Sequence, residues 1–142
     1  MENELTGYTL PIGSVGNYKY VVVCSNYQGK WMFSRHKDRT TWETQGGHVE
    51  PGETPMEAAK RELYEESGVT NADLYAICDY KGNRGTSFAY GMTFLAVVHE
   101  LGELLESEME EVCLFEELPK NLTYPKVTPM LVKEAENFLK NM

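Results

Sequence analysis

Short apolar runs rich in β-branched and aromatic residues recur along the chain and predict β-strands. The first two runs flank residues 26–29, which read Asn-Tyr-Gln-Gly and are typical of a hairpin turn. The third and fourth runs flank residues 82–85, where glycine and asparagine predict a second turn. The five predicted strands are residues 19–24, 30–34, 73–80, 87–99 and 112–115.

A helix is predicted at residues 55–67 by its start and stop signals as well as by its apolar periodicity. Thr54 is the predicted N-cap, Pro55 takes the first helical position and Glu57 completes a capping box. Gly68 follows as the stop signal. Because these signals are independent of one another, the sequence defines both ends of this helix.

A second helix is predicted at residues 129–140, introduced by the pair Thr128 and Pro129. Its apolar face, which we expect to pack on the sheet, consists of Leu131, Ala135, Phe138 and Leu139. No repeat, low-complexity stretch or linker interrupts the chain. We therefore predict one α+β domain spanning residues 1–142.

Composition excludes a protein that spans a membrane with helices. The 142 residues are 42% hydrophobic and 25% charged, and no apolar run approaches the roughly 20 residues that such a helix needs. Residues 1–4 are acidic and polar, unlike a secretory signal. Cys24, Cys78 and Cys113 lack metal or redox spacing and are interpreted as small core residues, which fits a reducing compartment. We expect a cytoplasmic protein without membrane contact.

The net charge limits which classes of ligand the protein is expected to bind. A net charge of −9, from 22 acidic and 13 basic residues, repels polyanions, so we expect no binding of bulk nucleic acid. A small phosphate-bearing ligand would need added positive charge, which divalent cations held by clustered carboxylates can supply.

Three glutamates of the first predicted helix face one direction. Each helical residue advances by about 100°, which places Glu62, Glu65 and Glu66 within an arc of about 100°. Like charges at this spacing destabilise a helix by roughly a few tenths of a kcal/mol per pair unless a positive charge offsets them. A divalent cation is one candidate for that charge. The alternative is a solvated acidic face that pairs with Lys60 and Arg61.

The segment before this helix, residues 46–53, favours the cation. It reads GGHVEPGE and is predicted to form a tight loop with positive φ and close backbone approach, leading into the N-cap. Glycine loops alone are more often ordinary turns than phosphate-binding loops. Here the loop, the capped helix and the carboxylates form one unit, and the combination indicates a functional site.

Residues 47–69 resemble the Nudix box, the signature of the Nudix hydrolase (MutT-like) family. They read GHVEPGETPMEAAKRELYEESGV and match every fixed position of the box. The matching residues are Gly47, Glu53, Arg61, Glu62, Leu63, Glu65, Glu66, Gly68 and Val69. The order of the predicted strands is also similar to the Nudix fold, a mixed β-sheet sandwiched between α-helices. The resemblance covers nearly the whole chain but is highly specific only in the box.

The resemblance implies a hydrolase that cleaves a nucleoside diphosphate linked to another group, with water as nucleophile and Mg²⁺ or Mn²⁺ as cofactor. It implies that Glu62, Glu65 and Glu66 bind metal or act as the base, without identifying the base. The Gly46 carbonyl matches a backbone metal ligand of some members. Arg61 would orient a neighbouring glutamate through a charge-assisted hydrogen bond.

The remaining box residues are assigned structural roles, with Glu53 fixing the loop and Gly47 and Gly68 serving the backbone. In this family a further glutamate often comes from a loop before a late strand. Glu108 matches that position best by its distance from residues 112–115, and Glu111 is the second choice. A solvated loop carboxylate is the alternative for either.

One position departs from the family, and the substrate contacts are weakly marked. Gln45 stands where many relatives have proline, and we expect a looser approach to the glycine pair because proline's fixed φ is lost. Arg35, in the basic cluster of residues 35–39, is the candidate phosphate contact, with ordinary surface charge as the alternative. Three aromatic residues could stack on a base or fill the core: Trp42, Phe88 and Tyr90.

Hydrolysis of a small nucleotide-type substrate is the function that these features favour. A nucleoside triphosphate, ordinary or oxidised, is the expected substrate for a short chain, with ADP-ribose and dinucleoside polyphosphates as alternatives. A non-catalytic nucleotide-binding or sensor module is a second hypothesis, which the intact box disfavours because a binder need not keep every acidic position. Isomerisation of a prenyl diphosphate is a third, and it needs additional acid/base residues. The sequence leaves the oligomeric state open.

Overall fold

The predicted alternation of strands and helices is present in the computed structural model, which describes residues 4–104 and 106–142. The strands are β1 Thr6–Leu10, β2 Tyr20–Tyr27, β3 Lys30–His36, β4 Trp42–Glu43, β5 Gln45–His48, β6 Asn71–Arg84, β7 Ser87–Glu100 and β8 Met109–Phe115. The helices are α1 Pro55–Ser67 and α2 Thr128–Lys140. Strands β2, β3, β6, β7 and β8 confirm the five predicted strands, with ends that differ by a few residues.

Three strands and one turn were not predicted correctly. Strands β1, β4 and β5 give weak sequence signals because β4 has only two residues and β5 contains a glycine pair. The turn predicted at residues 82–85 is wrong, since Gly82, Asn83 and Arg84 pair with β7. The chain reverses at Gly85 and Thr86 instead, where Gly85 has a φ of 60°.

The strands form one mixed sheet, in the order β1-β6-β7-β2-β3-β4. Strands β2 and β7 are parallel, and the other pairs are antiparallel. Strand β5 pairs with β2, and β8 pairs with β3. The pairing of β5 with β2 places both strands next to helix α1.

The two faces of the sheet bury different residues because side chains alternate along each strand. Val21, Val23 and Phe94 pack with Ala59 and Leu63 on the α1 face. The α2 face buries a second cluster, built on Cys24, Phe33, Leu95, Leu131 and Ala135. Full burial of one such large apolar side chain contributes about 1.5–3 kcal/mol. The predicted mixed sheet between helices, and with it the α+β class, is confirmed.

Helix α1 begins and ends as predicted. Thr54 Oγ1 accepts a hydrogen bond from the Glu57 N–H, and Glu57 Oε1 accepts one from the Thr54 N–H. Gly68 ends the helix with a φ of 80°, and a Cβ there would clash with the Glu103 carbonyl. The loop that leads toward Glu108 therefore packs directly on the end of α1.

Helix α2 differs from the prediction at its start. Thr128 lies inside the helix and is 3% exposed, and Val127 precedes it without any side-chain cap. Apolar packing of Val127 and Leu131 fixes this end instead of a capping hydroxyl. Leu131 and Ala135 are buried, and Phe138 and Leu139 pack against the same cluster, so the predicted apolar face is confirmed.

The cysteines and the helix lengths test two further expectations. Cys24 and Cys78 are buried, whereas Cys113 on β8 is only half-buried, so the core interpretation is wrong for Cys113. Its thiol instead donates to Glu111 Oε2 at 3.4 Å. Within residues 4–104 and 106–142, no helix has the length and apolar character needed to cross a bilayer.

Candidate active site

The glycine pair before α1 forms a strand and not the predicted loop. Gly46 and Gly47 belong to β5 and pair with Val22 and Val21 of β2. A Cβ at Gly47 would lie 2.6 Å from the carboxylate of Glu62. Glycine is thus required here for close approach, because α1 packs its carboxylates directly against the β5 backbone.

The predicted carboxylates converge on one side of α1. They line a cavity of about 450 Å³, which we call the carboxylate cavity. Its walls are Glu50, Arg61, Glu62, Tyr64, Glu65, Glu66, Glu106, Ser107 and Glu108. Six glutamates and one arginine leave it strongly negative. Lys60 is exposed, on the opposite side of the helix.

Arg61 organises the rim of the carboxylate cavity. Its guanidinium donates to Glu53 at 2.7 Å, to Glu62 at 2.7 Å and to Glu65 at 2.9 Å. A further N–H donates to the His48 carbonyl at 2.9 Å. Hydrogen bonding to Arg61, helped by the Glu50 N–H, lowers the pKa of Glu53 to about 2. The pKa of Arg61 is raised, chiefly by its hydrogen bond to Glu53. Arg61 therefore ties the loop before α1 to two cavity glutamates.

Glu66 lies deepest of the box glutamates. Its Oε1 accepts a hydrogen bond from the Gly46 N–H at 2.8 Å. Burial raises the pKa of Glu66 to about 9, and the negative charges of Glu62, Glu43 and Glu108 add to the effect. Burial also raises the pKa of Glu62, against the opposing influence of Arg61. Both shifts arise mainly from burial, with a smaller contribution from neighbouring carboxylates.

This donor set fits a hard divalent cation, because it consists of carboxylate oxygens beside the β5 backbone. In the described part of the chain, no three His, Cys, Asp or Glu side chains are already arranged around one metal position. Arg61 holds Glu62 and Glu65, and the Gly46 N–H holds Glu66. Rotation of Glu62 and Glu65 toward a shared cation would therefore exchange their Arg61 contacts for metal bonds, while Glu66 could bind the cation through Oε2 and keep Oε1 on the Gly46 N–H.

The two loop candidates separate in space. Glu108 lines the carboxylate cavity, is 85% exposed at its side chain and lies 3.8 Å from His36. Glu111 pairs with Arg35 at 3.2 Å and does not line the cavity. The structure thus brings Glu108, and not Glu111, to the box glutamates.

Arg35 does not line the carboxylate cavity. It donates to Glu111 at 3.2 Å and to the Arg39 carbonyl at 3.3 Å. A phosphate would have to compete with these two acceptors for the guanidinium. The proposed phosphate contact at Arg35 stays a prediction.

A second cavity, of about 360 Å³, opens on the α2 face, and we call it the aromatic cavity. Its ring-bearing residues are Tyr20, His48, Tyr80, Phe88 and Tyr124. The exposed basic residues Lys19 and Arg84 lie at its edge, and Glu43 is its acidic residue. Trp42, one of the three aromatic residues that could stack on a base, does not line this cavity and packs on Phe115. Sequence reasoning missed Lys19 and Arg84 because they are about 65 residues apart along the chain and meet only through strand pairing. No local motif marks either residue.

Strand β5 lines the aromatic cavity and lies against two glutamates of the carboxylate cavity. Gly46, Gly47 and His48 line the aromatic cavity, while Gly47 touches the Glu62 carboxylate and the Gly46 N–H bonds Glu66. A ligand in the aromatic cavity could therefore extend over a side-chain-free stretch of backbone toward the glutamates. Such an arrangement suits a substrate with an apolar, ring-bearing end and a charged end.

Comparison with known proteins gives relatives of one kind. The chain is 33% identical over 118 residues to the putative 8-oxo-dGTP diphosphatase YtkD of Bacillus subtilis, covering 82% of this chain and 74% of that protein. It is 35% identical over 71 residues to the RNA pyrophosphohydrolase of Vibrio vulnificus, a match to 50% of this chain and 37% of that protein. The second match thus spans little more than a third of its relative.

Solved structures agree with the sequence matches. A crystal structure of a variant of the Bacillus subtilis pyrophosphohydrolase BsRppH is similar at a TM-score of 0.79 and 27% identity, covering 94% of this chain and 90% of that one. The NUDIX domain family model matches residues 18–132, which include β5 and the whole of α1. The chain therefore belongs to the Nudix family and is a hydrolase of phosphorus anhydrides.

Proposed function

We propose that the chain cleaves a nucleoside triphosphate, with the nucleoside in the aromatic cavity and the phosphates extending over β5 to the carboxylate cavity. The observation that carries this proposal is the position of Gly47: it lines the aromatic cavity, and a Cβ there would lie 2.6 Å from the carboxylate of Glu62, which lines the carboxylate cavity. A cavity of about 360 Å³ accommodates one nucleoside-sized group. Lys19 and Arg84 lie where they can contact phosphate oxygens.

Glu62, Glu66 and the Gly46 carbonyl would hold Mg²⁺ or Mn²⁺, with Glu108 as a further ligand from the loop before β8. The burial of Glu62 and Glu66 beside other carboxylates supports this assignment, because a bound cation offsets the cost of ionising a buried carboxylate. When bound, such a cation neutralises phosphate charge and lowers the pKa of a coordinated water.

We assign to Glu65 the role of the base that deprotonates the attacking water. Its side chain is 51% exposed and its carboxylate contacts Arg61, so it can reach solvent in the cavity. Glu65 takes the proton as the water oxygen bonds to phosphorus and the bridging P–O bond breaks. Arg61 orients Glu62 and Glu65 through its two short hydrogen bonds.

The relatives define the substrate panel. One is named for 8-oxo-dGTP and another for the pyrophosphate of RNA, and both substrates carry a phosphoanhydride on a nucleoside. The net charge of −9 favours a mononucleotide over a polynucleotide, because the long chain of phosphates would be repelled.

The test is a substrate screen with product mass analysis. Ordinary nucleoside triphosphates, 8-oxo-dGTP, ADP-ribose, a dinucleoside tetraphosphate and a 5′-triphosphorylated oligoribonucleotide would be incubated with Mg²⁺, Mn²⁺, Ca²⁺ or EDTA. We expect a nucleoside monophosphate and pyrophosphate from a triphosphate with Mg²⁺ or Mn²⁺, and little turnover with Ca²⁺.

Three outcomes each contradict a part of the proposal. Full turnover in excess EDTA would exclude the metal role of the box glutamates. Binding of the nucleotides without turnover under every metal condition would support a nucleotide sensor. Turnover confined to the triphosphorylated oligoribonucleotide would keep the hydrolase and overturn the mononucleotide substrate.

A further inference from the structure

Strands β2 and β3 pair only near their hairpin turn. Residues 25–27 of β2 bond to residues 30–32 of β3, and beyond them the two strands separate. Strand β5 then pairs with β2, and β4 pairs with β3. The chain from Trp42 to His48 thus fills a split between β2 and β3, and Gln45 is the first residue of β5 within it.

Gln45 closes the split with its side-chain amide. The residue is fully buried at 0% exposure, between Ser25 of β2 and Ser34 of β3. Its Oε1 accepts from Ser25 Oγ at 2.7 Å, and its Nε2 donates to Ser34 Oγ at 2.9 Å and to the Met32 carbonyl at 3.4 Å. The looser approach expected at this position is therefore wrong, because the amide replaces proline's fixed φ with bonds to both strands.

The same hydrogen bonds continue into helix α1. Ser34 Oγ donates to the backbone carbonyl of Glu66 at 2.9 Å. The N–H of Gly46, the next residue after Gln45, donates to the Glu66 carboxylate at 2.8 Å. Glu66 is thus held at its backbone and at its side chain by groups that Gln45 connects, although Gln45 does not touch it.

The carbonyl of Glu66 lies near the C-terminal end of α1, where the last carbonyls lack partners within the helix. Ser34 supplies one such partner from the sheet. Ser34 is itself fully buried, and its hydroxyl accepts from Gln45 Nε2 while it donates to the Glu66 carbonyl, so the two bonds meet at one oxygen. Removing either group frees the end of α1 to shift relative to β5.

We propose that Ser34 and Gln45 are positioning residues that fix the Glu66 carboxylate against β5 in the geometry needed for metal binding, a role that rests on the proposed function. They act through the Glu66 backbone and the Gly46 N–H, and contact neither substrate nor metal. The amide at position 45 thus supplies, through hydrogen bonds, the rigidity that proline supplies in many relatives through its ring.

The test compares Ser34→Ala with Ser25→Ala. Each variant removes one buried serine hydroxyl that bonds the Gln45 amide, so we expect similar losses of thermal stability. Only Ser34 also bonds α1. Ser25→Ala is therefore a matched control for the general cost of disturbing the buried amide.

The first readout needs no activity. Hydrogen–deuterium exchange of the Gly46 N–H, followed by NMR in EDTA, reports the bond to Glu66 directly. We expect S34A to speed this exchange by about tenfold, and S25A to leave it within about twofold of the original protein. Equal exchange in the two variants would overturn the proposal, whether or not the protein proves to be a hydrolase.

The second readout is catalysis as a function of metal concentration. S34A should raise the Mn²⁺ concentration for half-maximal turnover by about 10-fold or more and leave the nucleotide KM nearly unchanged, whereas S25A should change neither. Gln45→Met, which keeps the volume and loses the amide, should resemble S34A and serves if S34A fails to fold. Unchanged metal dependence in both S34A and Q45M would overturn the proposal, while absence of turnover in the original protein would contradict only the proposed function.

Discussion

The two faces of the central sheet carry cavities of similar size and opposite chemistry. The carboxylate cavity, about 450 Å³ on the α1 face, has six glutamates and a single arginine. The aromatic cavity, about 360 Å³ on the α2 face, has rings, two exposed cations and one glutamate. A nucleotide has a matching division, with a flat base at one end and phosphates at the other. Under the proposed function, the α2 face binds the nucleoside and the α1 face carries out the chemistry.

The faces also differ in how their charged groups are held. Arg61 binds Glu53, Glu62 and Glu65 at 2.7–2.9 Å, so the carboxylate cavity is tied into one network. In the aromatic cavity, Lys19 and Arg84 are exposed at the edge. Changes on the α1 face should therefore alter turnover, and changes on the α2 face should mainly alter substrate affinity.

The largest effect is expected from Glu62→Gln, Glu65→Gln and Glu66→Gln, made singly. Each change keeps size and helix propensity nearly constant and removes a charge that binds metal or acts on water. Turnover at saturating nucleotide should fall by about 10²-fold or more, with a weaker effect on KM. Steady-state kinetics with Mg²⁺ or Mn²⁺ measures both constants.

Lys60→Gln is the control for these variants, since Lys60 is exposed on the opposite side of α1. It should leave turnover nearly unchanged. If the glutamates formed only a solvated acidic face, all four variants would have small effects, and relief of repulsion would slightly stabilise the helix. Near-normal turnover in the Glu62 and Glu66 variants would remove the chemical contrast between the two faces.

The second effect is on stability. Mg²⁺ or Mn²⁺ should raise the melting temperature of the original protein, because a ligand at 100 times its Kd stabilises the folded state by about 2.7 kcal/mol. Glu66→Gln should lose most of this shift, and Arg84→Gln should keep it. A shift of equal size in both variants, measured by thermal scanning, would place the cation outside the carboxylate cavity.

The same contrast explains what the sequence could predict. The carboxylate cavity depends mainly on α1, whose capping box and helical spacing place Glu62, Glu65 and Glu66 on one side from local signals alone. The aromatic cavity combines β2, β5, the β6–β7 hairpin and the start of α2. Its members meet only through long-range pairing, and a pattern read along the chain carries no register between distant strands.

Strand β5 shows that sequence-based prediction also fails at the start of the Nudix box. Its glycine pair was interpreted as a loop because glycine weakens strand propensity, yet the backbone pairs with Val21 and Val22. Gln45 was expected to loosen the approach because it lacks proline's fixed φ, yet its amide bonds Ser25 and Ser34 on two other strands. The residue type alone could not reveal hydrogen bonds that depend on where those strands separate.

A smaller effect is expected on the α2 face. Arg84→Gln removes a charge at the edge of the aromatic cavity and should raise the nucleotide KM by about 5-fold, with turnover changed by less than about twofold. Lys30→Gln removes an equal charge from the exposed β2–β3 hairpin and should change neither constant. A loss of turnover in the Arg84 variant would show that the α2 face takes part in the chemistry.

The smallest effect is a pH dependence that only the α1 face should show. Arg61 lowers the pKa of Glu53 to about 2 from its usual 4.5, so the ionised pair stabilises the fold fully above pH 4.5. That contribution is lost as the pH falls from about 4.5 toward about 2, because Glu53 then takes up a proton in the folded state. The difference in unfolding free energy between the original protein and Glu53→Gln should therefore be constant near neutral pH and shrink through this window. Denaturant titrations at stepped pH measure it, with Glu117→Gln, an exposed carboxylate after β8, as the control that should show no such trend. A difference independent of pH down to about 3 would mean that Glu53 acts on Arg61 through shape and not through charge.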